Sequence, residues 1–106
     1  MSNQDLPLDD EGFLIELSRW NEDAACQLAR YEQIELTPEH WAIIHLTRQY
    51  YQQYKLSPAM RPLVKYLRQH LGPEQGNSLY LLRLFPDSPA RRISKIAGLP
   101  KPDNCL

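Results

Sequence analysis

The chain is poor in the residues that build self-contained chemistry. It has two cysteines, Cys26 and Cys105, and no CxxC pair. Its three histidines, His40, His45 and His70, never recur at a spacing of three or four. A zinc site needs three or four ligands in defined geometry, so no metal site is expected. Glycine is scarce, at four residues, and there is no GxGxxG, Walker loop or GxSxG. That excludes the common phosphate cradles and the nucleophile elbow. No apolar run approaches the ~18 residues of a membrane span. Met1 to Asp5 has neither the basic start nor the apolar core of a signal peptide. The expectation is a cytoplasmic protein with no membrane partner, no cofactor and no complete active site of its own.

What is present is enough for one domain. The chain has 106 residues, 42% hydrophobic and 24% charged, an ordinary balance for a single folded unit. The net charge of -1 hides an asymmetry. Residues 1–36 hold nine acids and two bases, whereas residues 37–78 and 79–106 each hold two acids and five bases. One end is acidic and the remainder basic, which bears on partner choice; solvated helix faces would give the same pattern.

Helix signals dominate. Asn21 can cap a first helix, with Glu22 and Asp23 at its positive end, and Ala25, Leu28 and Ala29 would form the buried stripe. Thr37-Pro38, Ser57-Pro58 and Ser88-Pro89 each place a hydroxyl before a proline. The hydroxyl suits the N-cap and proline the first helical position. They predict helices over Pro38–Lys55, Pro58–His70 and Pro89–Ala97. Trp41, Ile44, His45 and Arg48 share a face of the first of these, and Leu63, Val64 and Leu67 point inward on the second. Asn77 can cap a short helix over Ser78–Phe85, apolar nearly all round and so expected to be the central buried one. Residues 4–16 read as a short hairpin: Asp9-Asp10-Glu11-Gly12 is a turn signal before Phe13-Leu14-Ile15. The predicted architecture is a mainly α, compact orthogonal bundle of about five helices over residues 21–97. A short N-terminal β-hairpin precedes it in 1–16, and a flexible arm follows in 98–106.

The two cysteines sit in opposite contexts. Cys26 lies in the helical, apolar run Ala24–Ala29, where a free cysteine acts as a small hydrophobe. Cys105 is one residue from the terminus, beyond Gly98, Pro100 and Pro102. Chain ends are mobile unless tied down, so this thiol reads as chemistry delivered to a partner, or as an accidental terminal residue. The thiolate is the reactive form. Lys101 favours it and the terminal carboxylate opposes it, which leaves the sign open. Arg91, Arg92, Lys95 and Lys101 are candidates for docking an acidic surface or RNA phosphates. With Arg83 they also fit DNA phosphates, although a slightly acidic chain is unusual for a dedicated DNA binder.

Gly76-Asn77-Ser78-Leu79-Tyr80, Leu84-Phe85-Pro86, Ile96-Ala97-Gly98-Leu99-Pro100-Lys101-Pro102 and the penultimate Cys105 closely resemble the TusE/DsrC family of sulfur-relay proteins. Gly12-Phe13-Leu14, Trp20-Asn21-Glu22-Asp23-Ala24, Thr37-Pro38-Glu39-His40-Trp41, Ser57-Pro58 and Met60-Arg61 fit the same pattern. The resemblance implies a small helical domain with an N-terminal hairpin and a C-terminal arm, and a sulfur-carrying role for Cys105. Two-cysteine members have a second cysteine eleven positions earlier, where this chain has Ser94. A hydroxyl cannot form their internal disulfide, which points to the TusE branch. That branch implies a carrier without a self-contained active site. It accepts sulfur from a TusBCD-type complex and passes it to the tRNA thiouridylase MnmA for 2-thiouridine synthesis. The alternatives are a regulatory protein with a redox-sensing cysteine, or a DsrC-like partner of sulfur-oxidising or sulfur-reducing enzymes. Ser88 and Asn104 stand where many members have glycine.

Overall fold

The computed structural model describes residues 6–103. Five helices follow one 3-10 turn at Leu17–Arg19: α1 (Glu22–Tyr31), α2 (Pro38–Tyr54), α3 (Met60–Leu71), α4 (Ser78–Leu84) and α5 (Pro89–Ile96). They fill a body of 38 × 26 × 22 Å.

The caps explain most boundaries. Asn21 accepts a hydrogen bond from the Ala24 N–H at 2.7 Å, and Asn77 accepts one from the Tyr80 N–H at 2.9 Å. At α2, His40 Nδ1 accepts the Thr37 backbone N–H at 3.1 Å, closing a reciprocal cap. Its Nε2 lies 2.8 Å from the Leu84 carbonyl, which can only accept. The ring is therefore the Nε2–H tautomer. It staples the start of α2 to the end of α4, edge-on to Phe85. His40 thus serves the fold, tying two helix ends together.

The other two hydroxyl–proline pairs depart from expectation. Helix α3 begins at Met60, two residues after Pro58, and its N-cap Ala59 makes no side-chain bond. Ser57 is diverted to a tertiary partner described below. Ser88 precedes α5 without capping it through its side chain.

The core is built around α5, not α4. Helix α5 packs on α1, α2, α3 and α4, and its Ile93, Ser94 and Ile96 are fully buried. Ala25, Leu28, Ile43, Ile44, Leu63 and Leu67 surround it. In α4 only Leu81 is buried, while Leu79 is 78% exposed. Helix α4 packs mainly on α5, so its neighbours cover one side of it, and Leu79 and Leu82 are left exposed.

The N-terminal hairpin is corrected as well. Among the described residues there is no strand, only one antiparallel bridge between Leu8 and Leu14. Both flanking pairs lose half of their ladder. Ile15 donates to the Pro7 carbonyl at 2.9 Å, but Pro7 has no N–H to return. Asp9 donates to the Phe13 carbonyl at 2.8 Å, but the Phe13 N–H goes to the Asp9 carboxylate at 2.9 Å. That carboxylate also holds the Glu11 N–H, forming an Asx turn in place of a ladder. Cys26 is corrected too: it is exposed, on the outer side of α1.

Candidate functional site

The described part of the C-terminal arm is fastened to the body. Helix α5 ends in a Schellman motif. The Gly98 N–H bonds the Lys95 carbonyl at 3.1 Å, and the Leu99 N–H reaches back to the Ser94 carbonyl at 2.9 Å. The motif needs a left-handed residue, and Gly98 supplies it at φ +71°. Its missing Cβ also matters, because a Cβ there would collide with the Trp20 ring.

Two side chains satisfy the carbonyls left at this helix end. Trp20 Nε1 donates to Ile96 at 2.9 Å, and Arg48 Nη1 donates to Ala97 at 2.6 Å. Arg48 also lies 3.9 Å above the Trp20 ring, a cation–π contact that fixes both. Burial pushes the Arg48 guanidinium below its ordinary value. A guanidinium starts so high that it remains charged. A cation at the negative end of α5 also suits the helix dipole.

The arm then continues over the body. Leu99 is buried in the core, and the Ser57 hydroxyl donates to the Pro100 carbonyl at 2.6 Å. Lys101 Nζ pairs with Glu11 at 3.1 Å, and Pro102 is buried again. The flexible arm expected from Gly98 is therefore packed through Pro102, and Gly98 is a helix stop pressed against Trp20. Cys105 and Asn104 lie outside the described residues.

Helix α5 carries three of the expected docking cations, and all are engaged internally. Lys95, one of these docking candidates, is only 8% exposed. Its ammonium sits 3.1 Å from Glu32 and 5.1 Å from the Phe13 ring centre. Arg92 reaches Glu32 at 3.6 Å and Asp87 at 3.4 Å. Arg91 shares Glu11 with Lys101, at 3.6 Å. The acidic end of the chain thus neutralises the basic end within one molecule. The structure brings Arg91 and Lys101 together through Glu11, and Arg92 and Lys95 through Glu32.

Ser94 is fully buried and its hydroxyl has no hydrogen-bond partner among the described residues. The thiol of Cys26 opens on a surface cavity of about 470 Å³ that also includes Arg30, Ile34, Leu36 and Trp41. That cavity shares no residue with the arm. A smaller cleft, about 170 Å³, does: Tyr51, Lys55, Leu56 and Ser57 line it with Pro100, Lys101 and Asp103. No group of three or more metal-ligating side chains exists among the described residues. No described helix is long and apolar enough to cross a membrane.

Sequence reasoning missed the anchors Trp20, Arg48, Ser57 and Glu11. Arg48 did carry a signal: it continues the inward side of α2, next to Thr47, where a cation needs a buried acceptor. Ser57 matched a cap pattern, which hid its tertiary role.

The comparisons with known proteins agree with this architecture. The DsrC like protein family matches residues 1–106. The chain is similar to "Sulfurtransferase TusE homolog" of Haemophilus influenzae, 51% identical over 98 residues, which is 92% of this chain and 90% of that one. It is similar to Sulfurtransferase TusE of Sodalis glossinidius, 50% identical over 102 residues, or 96% and 94% of the two chains. The fold superposes on the NMR structure of Allochromatium vinosum DsrC with a TM-score of 0.86 at 44% identity, covering 95% of this chain and 90% of that one. Matched by the family model over residues 1–106 and in backbone over 95% of its length, the chain belongs to the DsrC like protein family.

Proposed function

We propose that the protein is a cytoplasmic sulfur carrier that takes up sulfur as a persulfide on Cys105. The observation that carries this reading is the similarity to sulfurtransferases named TusE, joined to a thiol in the penultimate position. The Cys105 thiolate attacks the terminal sulfur of a donor persulfide. A new S–S bond forms, the donor's S–S bond breaks, and the donor sulfur leaves as a thiolate. No external oxidant or reductant is needed. The acceptor's thiolate then takes the terminal sulfur by the same exchange. A TusBCD-type complex is the proposed donor and an MnmA-like tRNA thiouridylase the proposed acceptor. The protein supplies the thiol and its placement, and the partners supply the pockets.

The packed arm limits where that exchange takes place. Pro102 is fixed, and two residues of chain extend at most about 7 Å, so Cys105 stays that close to Asp103. Partners must bring their sulfur to the α2–α3 end of the body. Arg91, Arg92, Lys95 and Lys101 act on this reading mainly as the mount of the arm, through Glu11 and Glu32. A DsrC-like internal disulfide is disfavoured because the corresponding position is Ser94, sealed in the core.

The test is mass spectrometry after incubation with a persulfide donor. A one-sulfur adduct is expected on the wild type and on Cys26→Ser, and none on Cys105→Ser. An adduct mapping to Cys26, whose thiol is also exposed, would overturn the proposal.

A further inference from the structure

From His40 to Pro73 the chain has no Asp or Glu, yet holds Arg48, Lys55, Arg61, Lys65 and Arg68. Arg48 serves the arm and Arg68 bonds the Gly76 carbonyl at 3.1 Å. Lys55, Arg61 and Lys65 are exposed, and no acidic side chain lies on the same helices beyond Glu39 at the far end of α2. Among the described residues none of the three forms an ion pair, whereas each α5 cation has an acidic partner from elsewhere in the chain. Arg61 also sits in the first turn of α3, the positive end of the helix dipole, where a cation weakens the helix. Helix stability does not explain it.

A line of aromatic rings runs beneath the same surface, with Tyr66 buried and Tyr54 reaching solvent. Tyr54 packs on Tyr50 at 4.5 Å between ring centres, Tyr50 on Tyr66 at 5.2 Å, and Tyr66 on His70 at 4.4 Å. Gln49 joins the two helices by donating to the Tyr66 hydroxyl at 2.8 Å. The line crosses from the last turn of α2 to the last turn of α3, with Tyr54 49% exposed at one end and His70 exposed at the other. Lys65 adjoins Tyr66 in sequence, and Arg61 lies one turn before it. Leu56 is the sole exposed large aliphatic among the described residues of this face.

We propose that this α2–α3 face binds RNA, with Lys55, Arg61 and Lys65 on phosphates and Tyr54 as a stacking platform for an unpaired base. Cations interleaved with exposed aromatics are the composition of single-stranded RNA sites. Protein interfaces instead favour an apolar centre and are depleted in lysine, so an acidic protein fits this face less well. The inference rests on the sulfur-delivery reading for its biological substrate, an RNA loop that receives the sulfur. Geometry joins the two, because Lys55 lines the same cleft as Asp103, two residues before Cys105.

The experiment is fluorescence anisotropy with an anticodon stem-loop RNA, titrated across salt concentrations, on the full chain. Salt-dependent binding is expected. The triple variant Lys55→Ala/Arg61→Ala/Lys65→Ala should weaken it at least tenfold. It should also flatten the log–log salt slope by about 0.7 for each phosphate no longer neutralised. Tyr54→Ala should weaken binding about tenfold with the slope unchanged. Cys105→Ser should bind as the wild type does. The variants change exposed side chains, and thermal melts check that they fold. Absence of binding, or equal binding by the triple variant, overturns the proposal. So does a triple variant that loses affinity for an RNA-free acceptor enzyme instead. Sulfur loading of Cys105 in the triple variant is read separately by mass. Failed loading with RNA binding intact would reject the carrier reading and leave the RNA face standing.

Discussion

Replacing Gly98 with alanine places two penalties on one atom. The residue sits at φ +71°, where a side chain costs about 1–2 kcal/mol. The new Cβ would also occupy the space of the Trp20 ring. If the ring moves, the Nε1–H bond to Ile96 is lost, at about 1 kcal/mol. The Arg48 cation–π interaction goes with it, at about 0.5–1 kcal/mol. The total is about 3 kcal/mol, a large share of the ~5–15 kcal/mol stability of a small domain.

The two penalties separate in a double-mutant cycle measured by urea denaturation. In a Trp20→Ala background the clash and the indole interactions are already gone, so Gly98→Ala should cost only the backbone strain, about 1–2 kcal/mol. The coupling energy between the two sites is then about 1.5–2 kcal/mol. Hydrogen exchange at the Leu99 amide should quicken in Gly98→Ala more than global stability requires. A coupling below about 0.5 kcal/mol would refute the argument. It would mean that Trp20 yields freely and does not hold the arm.

Four further substitutions probe the mount and the core beneath it. Glu32→Ala strands Lys95, whose side chain is 11% exposed beside a 15% exposed partner. The loss should be about 2 kcal/mol in urea melts, between exposed and fully buried pairs. Glu11→Ala breaks pairs in which Glu11 is 46% exposed, so it should cost less than about 1 kcal/mol. Ser57→Ala removes the bond to the Pro100 carbonyl, which solvent can replace because Pro100 is exposed. Global stability should fall by no more than about 1 kcal/mol, while the hydrogen-bonded Leu99 amide next to the loosened segment exchanges faster. Ser94→Ala removes a buried hydroxyl without a partner, so stability should stay level or rise by up to about 1 kcal/mol. A loss above about 1 kcal/mol would show that the hydroxyl is hydrogen-bonded.

Local chemistry was legible in the sequence and tertiary competition was not. Asn21 and Asn77 cap helices as their side chains predict, because the donor lies three residues away in the same segment. Ser57 obeys the same rule in sequence, yet its hydroxyl goes to Pro100, 43 positions distant. No local pattern encodes that choice. Lys95 reads in the sequence as a docking cation, but Glu32, the C-cap of α1, lies beside it and the pair is buried together. Helix α4 failed for a different reason: hydrophobic composition sets how much a helix would gain by burial, while its neighbours set how much surface they can cover. The hairpin failed on hydrogen-bond accounting, since Pro7 and the Asp9 carboxylate each withdraw one ladder bond.

Fixing the arm changes what a carrier must do on docking. A free nine-residue tail would have to be ordered inside each partner, and ordering one residue's backbone costs about 1–2 kcal/mol. Here Gly98 to Pro102 are already ordered by folding, through Trp20, Arg48, Ser57 and Glu11. On the order of 5 kcal/mol is therefore not charged again at each encounter. Glu11 and Glu32, two acids of the N-terminal third, are the ones that pair with α5 and the arm. Their charge holds the mount together and leaves Lys55, Arg61 and Lys65 exposed on the α2–α3 face, where Asp103 of the arm is the one acid lining the cleft with Lys55 among the described residues.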